Sequence, residues 1–208
     1  MEDVLEVYKL PYDPEVPVVC LDEAQKQLVA EVRTPVRPRP GQPGRFDANY
    51  LRAGVCQLFL MVEPLRGWRH VEVREHKGAQ DWAAVIRTLL TKQYPHARRV
   101  RLIVDNLNTH AGSALYQTFA PAEARALYER LELHYTPKHA SWLNMAEIEL
   151  SALTRQCLNR RLDSSLTLKR EVSAWEKQRN KNKTKIRWQF TTADARIKLR
   201  RLYPTYDV

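Results

Sequence analysis

The chain has 208 residues, of which 44% are hydrophobic and 28% charged, an ordinary globular composition that excludes fibrous and disordered classes. No run approaches the roughly 18 apolar residues of a membrane helix, Met1-Glu2-Asp3 does not open a secretory signal, and three scattered cysteines (Cys20, Cys56, Cys157) suit neither a disulfide framework nor zinc, so a reducing cytoplasm fits best. The formal net charge of +10 is uneven: residues 1–150 carry 19 Lys/Arg against 19 Asp/Glu, and residues 151–208 carry 15 against 5, which is the footprint of a nucleic-acid partner or, equally, of a solvated helical face.

In chain order, residues 16–22 read as a β-branched strand opened by Pro17 and ended by Asp22. Residues 33–49, with Pro35, Pro38, Pro40, Pro43, Gly41 and Gly44, read as an irregular connection. Residues 54–62 and 68–74 form an expected hairpin, the second strand alternating on a two-residue period. From Gln80 to Tyr94 the apolar positions Trp82, Val85, Ile86, Leu89 and Leu90 predict a helix stopped by Pro95. A strand follows over 100–105, a helix over 121–131 with Pro121 in its first turn, and a strand over 131–136. Long helices are expected from Ser141 to Arg160 and from Leu166 to Arg179, with a last short one capped near Thr192-Ala193-Asp194. Three antiparallel strands followed by strand–helix alternation make a mixed sheet with helices on its faces.

The chemistry-bearing residues are three acids. Asp22 and Asp105 each end an expected strand. If those strands are parallel neighbours, both carboxylates reach the carboxyl edge, where α/β sheets place their sites. Taken singly, each reads more simply as a turn residue. On the helix that follows, Glu147 shares a face with Asn144 and Ser151, whereas Glu149 shares one with Met145, Ala152 and Leu153, so Glu147 is the better candidate to lean over that edge. Three converging carboxylates repel, and a pair of Mg²⁺ ions would relieve the repulsion and serve phosphoryl transfer. Asn106 and His110 suit the orienting of a metal-bound carboxylate or a phosphate, although His110 alone reads more simply as a helix-start or loop histidine bonded to backbone. Lys138 and His139 are candidate phosphate contacts or plain loop cations.

Asp22-Glu23, Asp105-Asn106-x-x-x-His110 and the segment from Tyr135 through Ser141-Trp142-Leu143-Asn144-Met145-Ala146-Glu147 together resemble the catalytic domain of mariner-like transposases from bacterial insertion sequences. The likeness runs over nearly the whole chain, including Arg187 to Arg196, and the Trp142-Leu143-Asn144-x-x-Glu147 order is its most specific part. It implies an α/β, ribonuclease-H-like mixed five-stranded sheet. Asp22, Asp105 and Glu147 would hold two Mg²⁺ or Mn²⁺ ions, supported by Glu23, Asn106, His110 and Asn144. The implied activity is cleavage at element ends followed by strand transfer into target DNA, typically at a TA step, by a homodimer on double-stranded DNA in the bacterial cytoplasm. Residues 1–160 are expected to form the catalytic core. Residues 161–208 would add a basic helical extension in which Arg160, Arg161, Lys181, Lys183 and Lys185 join Lys138 and His139 in gripping DNA phosphates. Because the first strand begins near position 16, no N-terminal helix-turn-helix is expected. The rival readings are a DNA-binding remnant that no longer cuts and a structure-selective nuclease of the same fold.

Overall fold

The computed structural model describes residues 1–45, 47–138 and 140–203. A short helix α1 (Glu2–Lys9) precedes strands β1 (Val18–Glu31), β2 (Tyr50–Glu63) and β3 (Trp68–Arg74). Helix α2 (Ala79–Thr88) leads to β4 (Val100–Val104), then α3 (Ser113–Thr118), α4 (Pro121–Glu129) and β5 (Leu131–Tyr135). The chain ends in α5 (Ala146–Leu153), α6 (Ser165–Lys181) and α7 (Thr192–Lys198).

The five strands form one sheet in the order β3-β2-β1-β4-β5. The first three are antiparallel, and β4 and β5 add in parallel. This is the expected ribonuclease-H-like mixed sheet. Strand pleating sends alternate residues to opposite faces. Cys20, Leu58, Leu60 and Ile103 therefore meet α5 and α6 on one side, while Leu21, Phe59, Leu102 and Val104 meet α2 and α4 on the other. Leu168, Val172 and Trp175 of α6 belong to the same core as Cys20 and Ile103, so α6 closes one face of the sheet.

Five elements differ from the sequence expectations, each for a physical reason. Strand β1 does not end at Asp22 but runs on to Glu31. Only Val18–Cys20 pair with β4, whereas β2 follows β1 along almost its whole length. The polar run Asp22-Glu23-Ala24-Gln25-Lys26-Gln27 hides this extension, because backbone pairing in an antiparallel ribbon asks little of its side chains. Beyond it, β1 and β2 project as an exposed arm bearing Arg37, Arg39, Arg45 and Arg52, a local basic cluster that averaging over residues 1–150 conceals. Helices α1 and α3 had no sequence expectation; each is too short to show more than two turns of periodicity.

The expected helix 141–160 is interrupted. Ser141–Leu143 form a separate 3₁₀ turn and α5 begins only at Ala146. Asn144 causes the break: its buried amide donates to the Leu21 carbonyl at 2.9 Å and accepts from the Ala146 N–H at 3.1 Å. Asn side chains that bond nearby backbone favour caps over helix interiors. Finally, α7 is capped one residue earlier than expected. Thr191 and Asp194 form a reciprocal capping box, and Thr192 instead bonds Glu6 on α1.

Candidate functional site

The parallel register of β1 and β4 aligns Cys20 with Ile103. Two residues further on, and so on the same side of the pleat, come Asp22 and Asp105, at the edge where β4 stops and β1 continues paired with β2. That side is the one covered by α5, whose first turn carries Glu147. A carboxylate there is also favoured by the helix N-terminus. Asp22 is 7% exposed and accepts the Glu23 N–H at 2.7 Å. Burial pushes its carboxyl up to about 7, against that hydrogen bond and with added repulsion from Asp105, Glu147 and Glu23. Asp22 thus senses the other two acids across one sheet edge. Among the described residues no three His, Cys, Asp or Glu side chains converge closely enough to cage one ion; Glu147 stands exposed at the rim.

Asp105 is held from two directions. The Thr136 hydroxyl, itself buried, donates to Asp105 Oδ1 at 3.0 Å. His110, buried beside Trp82 in a near-parallel ring contact of 5.8 Å, places Nδ1 2.9 Å from the Asp105 carbonyl and Nε2 2.9 Å from Glu23 Oε1. His110 therefore ties β1 to the loop after β4, and the Tyr135 hydroxyl donates to the His110 carbonyl at 2.9 Å. Asn106 is exposed next to this cluster. Asn144 anchors the start of α5 to the carbonyl of Leu21, the neighbour of Asp22.

Sequence reasoning passed over Thr136, Tyr135, Trp82 and Tyr8. Tyr8 of α1 donates to the Leu143 carbonyl at 2.6 Å and accepts from the Met145 N–H at 3.3 Å, steadying the turn that delivers Glu147. Thr136 had a legible signal, since a hydroxyl directly after β5 must lie beside the end of its parallel neighbour β4. Tyr8 had none, because its partner is 135 residues away in sequence.

Glu149 faces away from this edge. It is 1% exposed and meets two guanidinium groups: Arg69, which is fully buried, with Nε at 3.3 Å, and Arg179 at 2.5 Å. Arg69 also donates to the carbonyls of Gly67, Arg179 and Thr184, fastening the turn after α6 to β3. That turn lies so close to Gly67 (φ +72°) that a Cβ there would sit 2.5 Å from the Lys183 carbonyl oxygen.

The expected DNA contacts do not form one cluster. Arg160 pairs with Glu171, and Arg161 pairs with Glu31 at 2.5 Å and lies over the Tyr50 ring. Lys181 at the end of α6 and Lys183 and Lys185 just after it are exposed, and Lys138 is exposed near Trp142. His139 lies outside the described residues.

The fold resembles three solved structures. The Mos1 mariner paired end complex with Mn superposes with a TM-score of 0.57 at 21% identity, over 87% of this chain and 54% of that one. The Mos1 strand transfer complex gives 0.56 at 20% identity, over 84% and 50%. The Mos1 paired end complex with Mg gives 0.54 at 22% identity, over 88% and 55%. The chain spans about half the length of these proteins, and likeness at this identity is likeness of fold. No curated protein sequence matches significantly. Residues 17–169, which run from the start of β1 into α6 and include Asp22, Asp105 and Glu147, match the DDE superfamily endonucleases, and the chain belongs to that family.

Proposed function

We propose that this domain cuts and rejoins DNA strands by phosphoryl transfer, as a transposase catalytic domain does. In this reading Asp22, Asp105 and Glu147 hold divalent cations, two Mg²⁺ or Mn²⁺. The observation that carries it is the shared edge: Asp22 and Asp105 each two residues beyond the last pair of the parallel register, Glu147 in the first turn of the covering helix, and the Asp22 carboxyl raised to about 7 by burial and by its acidic neighbours. The donor set is all oxygen, which suits hard cations, and the mutual repulsion at Asp22 is what a cation relieves. When bound, such ions lower the pKa of an attacking water or 3′-hydroxyl and stabilise the leaving oxygen.

The chain's own residues do the positioning. Thr136 and the His110–Glu23 link keep Asp105 and Asp22 at fixed spacing, and Asn144 fixes where α5 starts. Glu147, exposed, is free to swing onto the edge. The exposed Lys138, Lys181, Lys183 and Lys185 are sequence-independent phosphate contacts for double-stranded DNA. Two DNA ends and a TA target would be handled by a pair of these chains. In this reading residues 1–160 are the catalytic core and residues 161–208 a basic extension whose helix α6 packs on it. Among the described residues no helix is long and apolar enough to cross a membrane.

Incubated with supercoiled plasmid and Mg²⁺ or Mn²⁺, the protein is expected to nick the DNA and join the freed 3′ end to a second duplex. Hydrolysis without joining would reassign it to the structure-selective nucleases. Salt-sensitive binding with no cut in either metal would mark a binding-only remnant.

Two narrower outcomes accompany this. Replacing Thr136 by Val removes the hydroxyl that Asp105 Oδ1 accepts, at nearly constant volume. Calorimetric titration with Mn²⁺ is expected to show affinity reduced about 10- to 100-fold, with about 1 kcal/mol lost from stability. The pH dependence of Asp22 gives the second. Its folded pKa of about 7 lies above the usual 3.8, so the folded state binds the proton more tightly. That contribution is full below about pH 4 and is lost as pH rises through 7, up to about 4 kcal/mol. In EDTA, melts of Asp22→Asn should match wild type at pH 4 and exceed it at pH 8. Parallel profiles at the two pH values would contradict the assignment.

A further inference from the structure

Trp142 is the most exposed of the five tryptophans, at 44%, yet its ring is held in place. Its plane lies 19° from that of Trp188 at 6.3 Å, and Phe190 meets it edge-on at 5.6 Å. Trp188 is in turn pinned by its indole N–H to the Phe190 carbonyl at 2.7 Å and by Tyr8 at 5.1 Å. A flat aromatic surface, rigid and backed on one side, stands in solvent beside the acid edge.

Trp142 walls a cleft of about 480 Å³ that it shares with Ser141, Glu147, Ile148, Ser151 and Arg155. Glu147 and Ser151 of α5 and Arg155 of the π-helical turn that continues it (Thr154–Leu158) are four residues apart and line one stripe. From Glu147 to Arg155 the stripe is about 12 Å long, three or four nucleotide steps of a stacked strand. The cleft therefore offers an aromatic face, hydroxyls, an exposed cation and one of the three acids in a row. An aromatic platform with a basic groove is the chemistry that holds single strands, since every base has a π face. A paired duplex keeps those faces stacked inside the helix.

On the DNA-cleaving reading above, we infer that this cleft binds an unpaired stretch of DNA strand. Trp142 stacks a base next to the phosphate presented to Glu147, and Arg155 pairs with a phosphate further along. The side chain that makes the Ser141–Glu147 motif recognisable thereby acquires a substrate contact of its own.

The test compares a blunt duplex with the same duplex carrying a short unpaired 3′ end, 2-aminopurine being placed at each unpaired position in turn and Ca²⁺ replacing Mg²⁺. Wild type is expected to prefer the tailed DNA and to quench one probe position. Trp142→Ala should bind the tailed DNA roughly tenfold more weakly, the loss of one base stack, with blunt-duplex affinity unchanged and the quench gone. Trp142→Phe should keep both. Trp142→Leu, which fills much of the volume without a π face, serves if the alanine variant fails to fold; a tail preference that survives it overturns the inference. Equal losses on both DNAs overturn it as well. Plasmid nicking by wild type separates the two ideas: nicking without tail preference sinks the stacking site alone, whereas no binding to either DNA sinks both.

Discussion

Asp105→Asn is expected to abolish metal-dependent nicking, by a thousandfold or more, and to leave the fold intact. The substitution is nearly isosteric, and Asn keeps a carbonyl oxygen to accept the Thr136 hydroxyl now donating to Asp105 Oδ1. The His110 contact is to the backbone carbonyl of residue 105 and is indifferent to the side chain. What disappears is the negative charge. A thousandfold corresponds to about 4 kcal/mol of transition-state stabilisation, a reasonable share for one charged ligand in the proposed two-metal site. Circular dichroism melts should agree with wild type within a few degrees while plasmid nicking in Mg²⁺ disappears. Nicking that persists at more than a tenth of the wild-type rate removes Asp105 from the mechanism.

The second large effect separates two glutamates two positions apart. Glu149→Ala strands Arg69, which is fully buried, and takes one partner from Arg179. Breaking a buried pair from one side costs about 3–5 kcal/mol, because the remaining charge stays uncompensated. For a domain of this size that lowers the melting temperature by about 10 °C or more. Glu147→Gln touches an exposed side chain, so stability should hold within about 0.5 kcal/mol while nicking is lost. Measured together, the pair should give opposite patterns: one variant unstable, the other stable and inert. Equal melting temperatures for the two variants would show that the Arg69–Glu149–Arg179 network does not fasten α5 and α6 to β3 as its geometry implies.

Much of the sheet is legible in the sequence because β2, β3, β4 and β5 each bury a face and are punctuated by Pro or Gly. The choice of Glu147 over Glu149 as the edge-facing acid rests on helical spacing alone, and the burial of Glu149 against two arginines follows the same spacing. Spacing did not show where the helix starts, since Asn144 bonds to Leu21 more than a hundred residues away. Nor did it reveal the length of β1, whose outer half is stabilised by backbone pairing with β2 rather than by apolar side chains. Local pattern reports on elements that carry their own apolar face. It is silent where a polar side chain reaches across the fold to set an element's boundary.

The first and last helices give the acid edge a place in time. Arg196 of α7 pairs with Glu2 of α1, and Leu5, Ala140, Leu143 and Ala195 pack together around the turn that precedes Glu147. A chain emerging from the ribosome folds from its N-terminus at about 5–20 residues per second, so β1 to β5 are available to pair well before residue 195 appears. The turn bearing Trp142 and Asn144 then waits, with one of its two supports missing, until nearly the whole domain has been synthesised. Asp22 and Asp105 are in register early, and Glu147 is set last. On the reading proposed above, a nascent domain would thus hold two of its acids aligned before the turn that leads to the third has both of its supports.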